Sequence, residues 1–190
     1  NVGFWEAIER LLPLTTADYI IALTDVVLDE RFIIKALEVF DADESIGAVQ
    51  AKVYRMELTG ATVRRTNRID ALGFCITPAR RITILGHGED DHGQFAAQAD
   101  ILGVEGAVPI FRRAALESVR VDGRLIDPEY RVGALGYGDD LDLSWRMTLF
   151  GWRQVMAPAV VAWHDRSTTT GVAHGFSDTL RRRPLRAAIP

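Results

Sequence analysis

Residues 18–40 read DYIIALTDVVLDERFIIKALEVF, and the change of pattern inside this stretch decides the fold class. Over residues 18–23 apolar and β-branched side chains run together without helical spacing, which predicts a buried strand. Farther on, Phe32, Ile33, Ala36, Leu37 and Phe40 recur at the intervals of one helical face, with Asp29 ahead of them as a candidate N-cap. A strand running directly into a helix is the elementary unit of an α/β sheet. It puts Asp25 at the strand's carboxyl end, the edge where open α/β sheets bind ligands.

Upstream, FWEAIERLL predicts a helix that Pro13 closes. Downstream, GAVQAKVYR (47–55), IDALGFCIT (69–77) and ILGVEGAVPIFRR (101–113) predict short strands of a mixed sheet, and a short helix follows over 114–119. Between the second and third strands lies LGHGEDDHGQF (85–95), too polar and glycine-rich for a core. It reads as a mobile substrate loop carrying solvated histidines, His87 and His92. Leu141, Trp145, Leu149 and Trp152 recur at i, i+4, i+8 and i+11, predicting a helix with these residues in the core that ends near Gly151. RQVM (153–156) and AVVAW (159–163), a strand pair around Pro158, deliver His164 at their end.

The chain has 190 residues, 48% hydrophobic and 25% charged, the composition of one globular domain of α/β class. Its 26 acidic residues outnumber the 22 basic ones, which argues against a nucleic-acid binder held by bulk charge. A lone cysteine, Cys75, excludes an intramolecular disulfide framework and a cysteine-rich zinc site. No apolar run approaches the roughly 20 residues that span a bilayer, and a cytoplasmic protein is the expectation. HExxH, P-loop, GxSxG and GxGxxG patterns are absent, which removes zincins, Walker-type kinases and α/β-hydrolases.

The residues that could carry chemistry gather at inferred strand and helix ends. Asp139, Asp140 and Asp142 open the late helix. They either serve its dipole, with Asp142 paired to Arg146 one turn on, or hold one carboxylate at a site mouth as a general base. Asp25 and His164 both lie at inferred strand ends. An oxygen ligand with an imidazole suits Mn²⁺ or Mg²⁺ whose remaining positions go to water and phosphate. Trp163 reads equally as a packing contact or as a platform for a sugar ring.

Taken together, NVGF, DYIIALTDVVLD, IDALG, GHGEDDHGQF, GVEGAVPIFRRAALE, GYGDDLDLSWRMTLFGWR and AVVAWH resemble family 2 glycosyltransferases of the GT-A fold. The likeness is to the bacterial branch with rhamnosyl- and galactofuranosyltransferase-like enzymes. The resemblance implies a Rossmann-like mixed sheet flanked by helices. It also implies a metal-dependent, inverting transfer of a sugar from a UDP- or dTDP-linked donor to a polysaccharide or lipid-linked glycan. By the same resemblance Asp140 is the general base with Asp139 its companion, and Asp25 and His164 hold Mn²⁺ or Mg²⁺. Asn1, Gly3, Asp25, Gly106 and Ala107 then line the donor, while Asp142 and Trp163 face the acceptor. Leu23 departs from the pattern, because the family carries Asp or Asn two residues before the metal-binding aspartate. The expected organisation is a GT-A domain over 1–175, short of its N-terminal nucleotide-binding strands, then a basic tail over 176–190. Arg181, Arg182, Arg183 and Arg186 give that tail either a solvated role or attraction to an anionic membrane face. A degenerate GT-A module binding a glycan or partner, and a nucleotidyltransferase, are the competing readings.

Overall fold

The computed structural model describes residues 4–59, 62–126 and 138–166. Helix α1 (Phe4–Leu11) passes into a single 3-10 turn, Leu12–Leu14, that contains Pro13. Strands β1 (Tyr19–Ile21) and β2 (Val26–Leu28) precede helix α2 (Phe32–Ala42). There follow β3 (Ile46–Thr59), β4 (Thr62–Ala71), β5 (Phe74–Ile76), β6 (Ile82–Ile84), β7 (Ala99–Asp100) and β8 (Pro109–Arg112). Helix α3 (Arg113–Ser118), helix α4 (Asp139–Leu149) and strand β9 (Arg153–Asp165) complete the described chain.

Seven of the strands form one mixed sheet, ordered β1-β8-β3-β9-β2, with β4 added to β3 and β7 to β9. The long strands β3 and β9 run parallel at its centre, and the other pairs are antiparallel. Alternation along these strands separates two cores. Val49, Ala51 and Val53 of β3, Ile110 of β8 and Val155 of β9 meet Phe32, Ala36 and Phe40 of α2. Ala48 and Phe111 join the other cluster, built with Trp5 of α1, Ala115 and Leu116 of α3, and Leu143 and Met147 of α4. Helices on both faces of a mostly buried sheet make an α/β protein of three layers.

Four local expectations are corrected. Residues 18–23 do not form one buried strand: β1 is three half-buried residues, the chain bends at Thr24 and Asp25, and Asp25 leads into β2 instead of ending β1. Asp29 does not sit at the N-cap of α2, whose cap is Arg31, although its carboxylate accepts the Arg31 amide at 3.0 Å. The expected strand pair around Pro158 is one strand, β9. Its ladder to β3 jumps from Ala51 opposite Ala157 to Lys52 opposite Val161, since Pro158 has no N–H to donate.

The fourth correction concerns α4. Its inward residues are Leu143, Ser144, Arg146 and Met147, while Trp145 is 44% and Leu149 69% exposed. The reason is steric. A Cβ on Gly103 would lie 2.3 Å from the Ser144 Cβ, so the helix sits directly on that turn and only a small side chain fits there. Arg146 straps the helix down, donating to the carbonyls of Val119 and Leu125 and to Asp142. Trp152 lies beyond the helix, partly buried, and donates to Ser118 at 2.8 Å.

Replacing Arg146 by Leu orphans two carbonyls and should cost about 2–4 kcal/mol in urea unfolding. Trp145→Ala should cost less than about 1 kcal/mol. The reverse order of losses would contradict the observed orientation of α4.

Candidate functional site

The site is assembled where β2, β3, β4 and β9 come together. Asp25 is held there by its backbone, its carbonyl accepting the Asp165 amide at 3.0 Å, and Thr24 donates to its carboxylate at 2.6 Å. Val26 opposes His164 across the β2–β9 ladder, and His164 Nε2 faces Asp25 Oδ1 at 3.5 Å. The other ring nitrogen, Nδ1, lies 2.7 Å from Asp70 Oδ2. The two nitrogens are therefore distinguished: Nδ1–H donates to Asp70, and Nε2 is the atom turned toward Asp25.

Asp70 was not anticipated as a site residue, yet it is the centre of the group. It lies at an irregularity of β4, where the β3–β4 register shifts between Val53 opposite Ala71 and Tyr54 opposite Ile69. Its side chain is fully buried and faces three cationic groups: His164, Arg166 Nε at 2.5 Å and Arg55 Nε at 3.5 Å. Burial alone would raise the Asp70 pKa. The His164 hydrogen bond and the Arg166 charge outweigh burial and hold the carboxyl below its ordinary value. Burial likewise disfavours the His164 imidazolium, but Asp70, aided by Glu105 and Asp25, raises its pKa above the ordinary value.

Arg166 carries the connection onward, its Nη2 standing 3.5 Å from Glu105 Oε1. Glu105 is the second residue that went unanticipated. Its amide donates to the buried Gln50 at 2.7 Å and its carboxylate accepts the Ala107 amide at 2.9 Å, which folds residues 105–107 into a tight turn. The middle amide of that turn, Gly106, donates to Asp140 Oδ2 at 3.0 Å, and the Leu141 amide donates to Oδ1 at 2.9 Å. A Cβ on Gly106 would come within 3.2 Å of Asp140 Oδ2, so glycine permits the approach. Burial pushes Glu105 up to about 7, with Arg166 opposing and Asp140 and Asp70 adding to the rise. Burial also raises Asp140, against the two amides that hold its ionised form.

The site thus brings together Asp25 and His164 at one end and Asp140 with Gly106 and Ala107 at the other. Asp139 sits beside Asp140 at the start of α4, behind Gly138 in the left-handed region at φ +107°. Asp142 turns away to Arg146, at 2.8 Å. Trp163 follows the alternation of β9 to the face opposite His164, where Tyr54 stacks at 6.2 Å and the Arg65 guanidinium lies 4.3 Å from its ring centre. Asn1, Gly3 and the arginines of 181–186 lie outside the described residues. The signal that could have revealed Asp70 and Glu105 is their isolation: each is a single acid within an apolar run, in RIDALG and LGVEGAV.

The loop over 85–95 is tied along β4 rather than hanging free. Gly88 donates to the Ile69 carbonyl, Asp91 to that of Asn67, and Ile69 to that of Glu89. His87, expected to be solvated, has Nδ1 at 2.6 Å from the Asp70 carbonyl and Nε2 at 3.0 Å from Arg55. Asp91 accepts from Lys52 at 2.7 Å and from Tyr54 at 2.5 Å, and these bonds hold its pKa at about 2, while burial and Asp91 together push the Tyr54 phenol well up.

Could this group hold a divalent cation? Asp25 Oδ1 and His164 Nε2 are close enough to share one ion, and the Asp70–His164 hydrogen bond is the support that metal-bound imidazoles use. Two protein ligands fit Mn²⁺ or Mg²⁺ that draws its other ligands from water and a diphosphate. No cluster of three or more His, Cys, Asp or Glu occurs among the described residues to enclose an ion without such help.

A mixed sheet between helix layers, with acids and a histidine gathered at one end of its central strands, is the GT-A form of a glycosyltransferase. The chain matches the model of Glycosyltransferase like family 2 over residues 2–186, and it belongs to that family. No curated protein matches it.

Asp70→Asn keeps the shape but strips the counterion from Arg166 and Arg55, and should lower unfolding stability by about 3 kcal/mol or more. A loss under about 1 kcal/mol would show that Asp70 does not organise the group. Asp91 gives a test by pH. Its folded pKa of about 2 lies below the ordinary 3.8, so its contribution is full above that value and is lost as pH falls through about 2. Asp91→Asn should therefore lower the melting temperature at pH 7, with the difference shrinking between pH 4 and pH 2. A gap constant over that range would contradict the assignment.

Proposed function

We propose that this glycosyltransferase is a metal-dependent, inverting enzyme that transfers a sugar from a nucleoside-diphosphate donor to a hydroxyl of a polysaccharide or lipid-linked glycan. The observation that carries the reading is Asp25 and His164 facing each other at 3.5 Å on the support of Asp70, with the Asp140 carboxylate fixed across the Glu105 turn. Mn²⁺ or Mg²⁺ held by Asp25 and His164 would supply electrostatic stabilisation to the departing diphosphate.

The chain's own residues do the rest. Asp140 accepts the proton of the acceptor hydroxyl while that oxygen bonds to the anomeric carbon. The bond from that carbon to the diphosphate oxygen breaks, its electron pair leaves with the diphosphate, and attack from the opposite face inverts the configuration. Burial raises the Asp140 pKa and makes it a better base, and the Gly106 and Leu141 amides aim its oxygens. Asp139 is its companion at the helix start. Gly106 and Ala107 border the sugar, and the motif resemblance assigns Asn1 and Gly3, outside the described residues, to the nucleotide. On the acceptor side Asp142 acts only by steadying α4 through Arg146, and Trp163, stacked on Tyr54 on the face opposite His164, takes no part in the transfer. The motif resemblance makes UDP- and dTDP-linked rhamnosyl and galactofuranosyl donors the first to try.

Mn²⁺ with UDP or dTDP should raise the melting temperature only when metal and nucleotide are both present. Asp140→Asn should cut transfer by at least about 10³-fold while retaining that stabilisation. Wild-type turnover in this variant would remove Asp140 from the mechanism.

A further inference from the structure

Two guanidinium groups outside the proposed transfer chemistry converge on one glycine. At Gly88, where φ is +82°, the position a Cβ would occupy lies 3.8 Å from Arg68 Nη2 and 4.0 Å from Arg55 Nη2. The two like charges therefore stand on either side of the Gly88 backbone. Arg68 is held in place by a group that leaves its charge uncancelled, and Arg55 shares its carboxylate, Asp70, with Arg166 and His164. Arg68 Nε donates to the Gly88 carbonyl at 3.0 Å, a neutral acceptor. Arg55 Nη2 reaches His87 Nε2 at 3.0 Å, and the His87 Nδ1 contact to the Asp70 carbonyl at 2.6 Å makes that nitrogen the donor, so Nε2 accepts and the ring is neutral.

The nearby carboxylates are committed elsewhere. Asp70, the one acid among the described residues that pairs with Arg55, is already shared with Arg166 and His164. Asp91 belongs to Lys52 and Tyr54, and among the described residues neither Glu89 nor Asp90 forms an ion pair with Arg55 or Arg68. Two guanidinium groups flank this glycine, Arg68 with no carboxylate partner among the described residues and Arg55 sharing Asp70 with two further cationic groups, and together they match the charge of a phosphoryl group.

We infer that Arg55, Arg68 and Gly88 form a second anion site, one that binds a phosphoryl group carried by the acceptor, apart from the place of the donor diphosphate at Asp25 and His164. The inference rests on the glycosyltransferase reading above. Arg55 and His164 both lean on Asp70, so the site neighbours the transfer centre and an acceptor could span the two.

The probe is inorganic pyrophosphate without divalent metal, read as the concentration that gives half the maximal shift in melting temperature. Arg68→Gln should raise that concentration at least tenfold. Arg64→Gln, which removes an exposed arginine of the same strand, should leave it within twofold. Stabilisation by Mn²⁺ with UDP or dTDP should also stay within twofold in Arg68→Gln. An unshifted wild type, or an Arg68→Gln variant that responds to pyrophosphate like the wild type, would overturn the site. Equal weakening by Arg64→Gln would reduce it to bulk charge, and equal weakening of the metal–nucleotide response would assign the arginines to the donor. A wild type that answers pyrophosphate but not Mn²⁺ with nucleotide would refute the donor reading and leave the anion site standing.

Discussion

One buried carboxylate governs the functional end of this protein. Asp70 is withdrawn entirely from solvent, which is costly for a charge unless cations repay it at short range. His164, Arg166 and Arg55 do so, and in return each is fixed by Asp70. The imidazole is thereby turned toward Asp25, Arg166 reaches Glu105, and Arg55 is steered to the loop at Gly88. Three otherwise separate parts of the site share a single anchor.

The fold explains why the anchor can exist. Parallel pairing of β3 with β9 sets Arg55 opposite His164, and β4 on the other side of β3 brings Asp70 to the same place through a register shift. An irregular ladder breaks strict alternation, and here it delivers a carboxylate where an unbroken strand would not. On the other flank, α4 rests on Gly103 through Ser144, and that close seat carries Asp140 to the Gly106 amide. The geometry around Asp140 thus depends on two close approaches permitted by glycine.

Much of this was legible in local pattern. The strand-and-helix rhythm of 18–40 indicated an α/β sheet, Asp25 and His164 stood out at inferred strand ends, and Asp140 stood out as one of three acids crowded at a helix start. Asp70, Glu105 and Arg166 were not legible as a site, because their partners lie far off in sequence, Asp70 and His164 being 94 residues apart. The helical face of α4 was misread for a related reason. Leu141, Trp145 and Leu149 keep helical period as well as Leu143 and Met147 do, and what decides between the faces is the Gly103–Ser144 contact and the carbonyls awaiting Arg146. Periodicity reports that a helix has an apolar face, whereas close packing chooses which face is buried.

The account stands or falls on Asp25 and His164 acting as one cation site positioned by Asp70. The most direct measurement is the anomalous scattering of Mn²⁺ in crystals of the protein grown with UDP. A single strong peak in contact with both Asp25 Oδ1 and His164 Nε2, with His164 Nδ1 still on Asp70, is the predicted result. Manganese bound away from this pair would contradict the account.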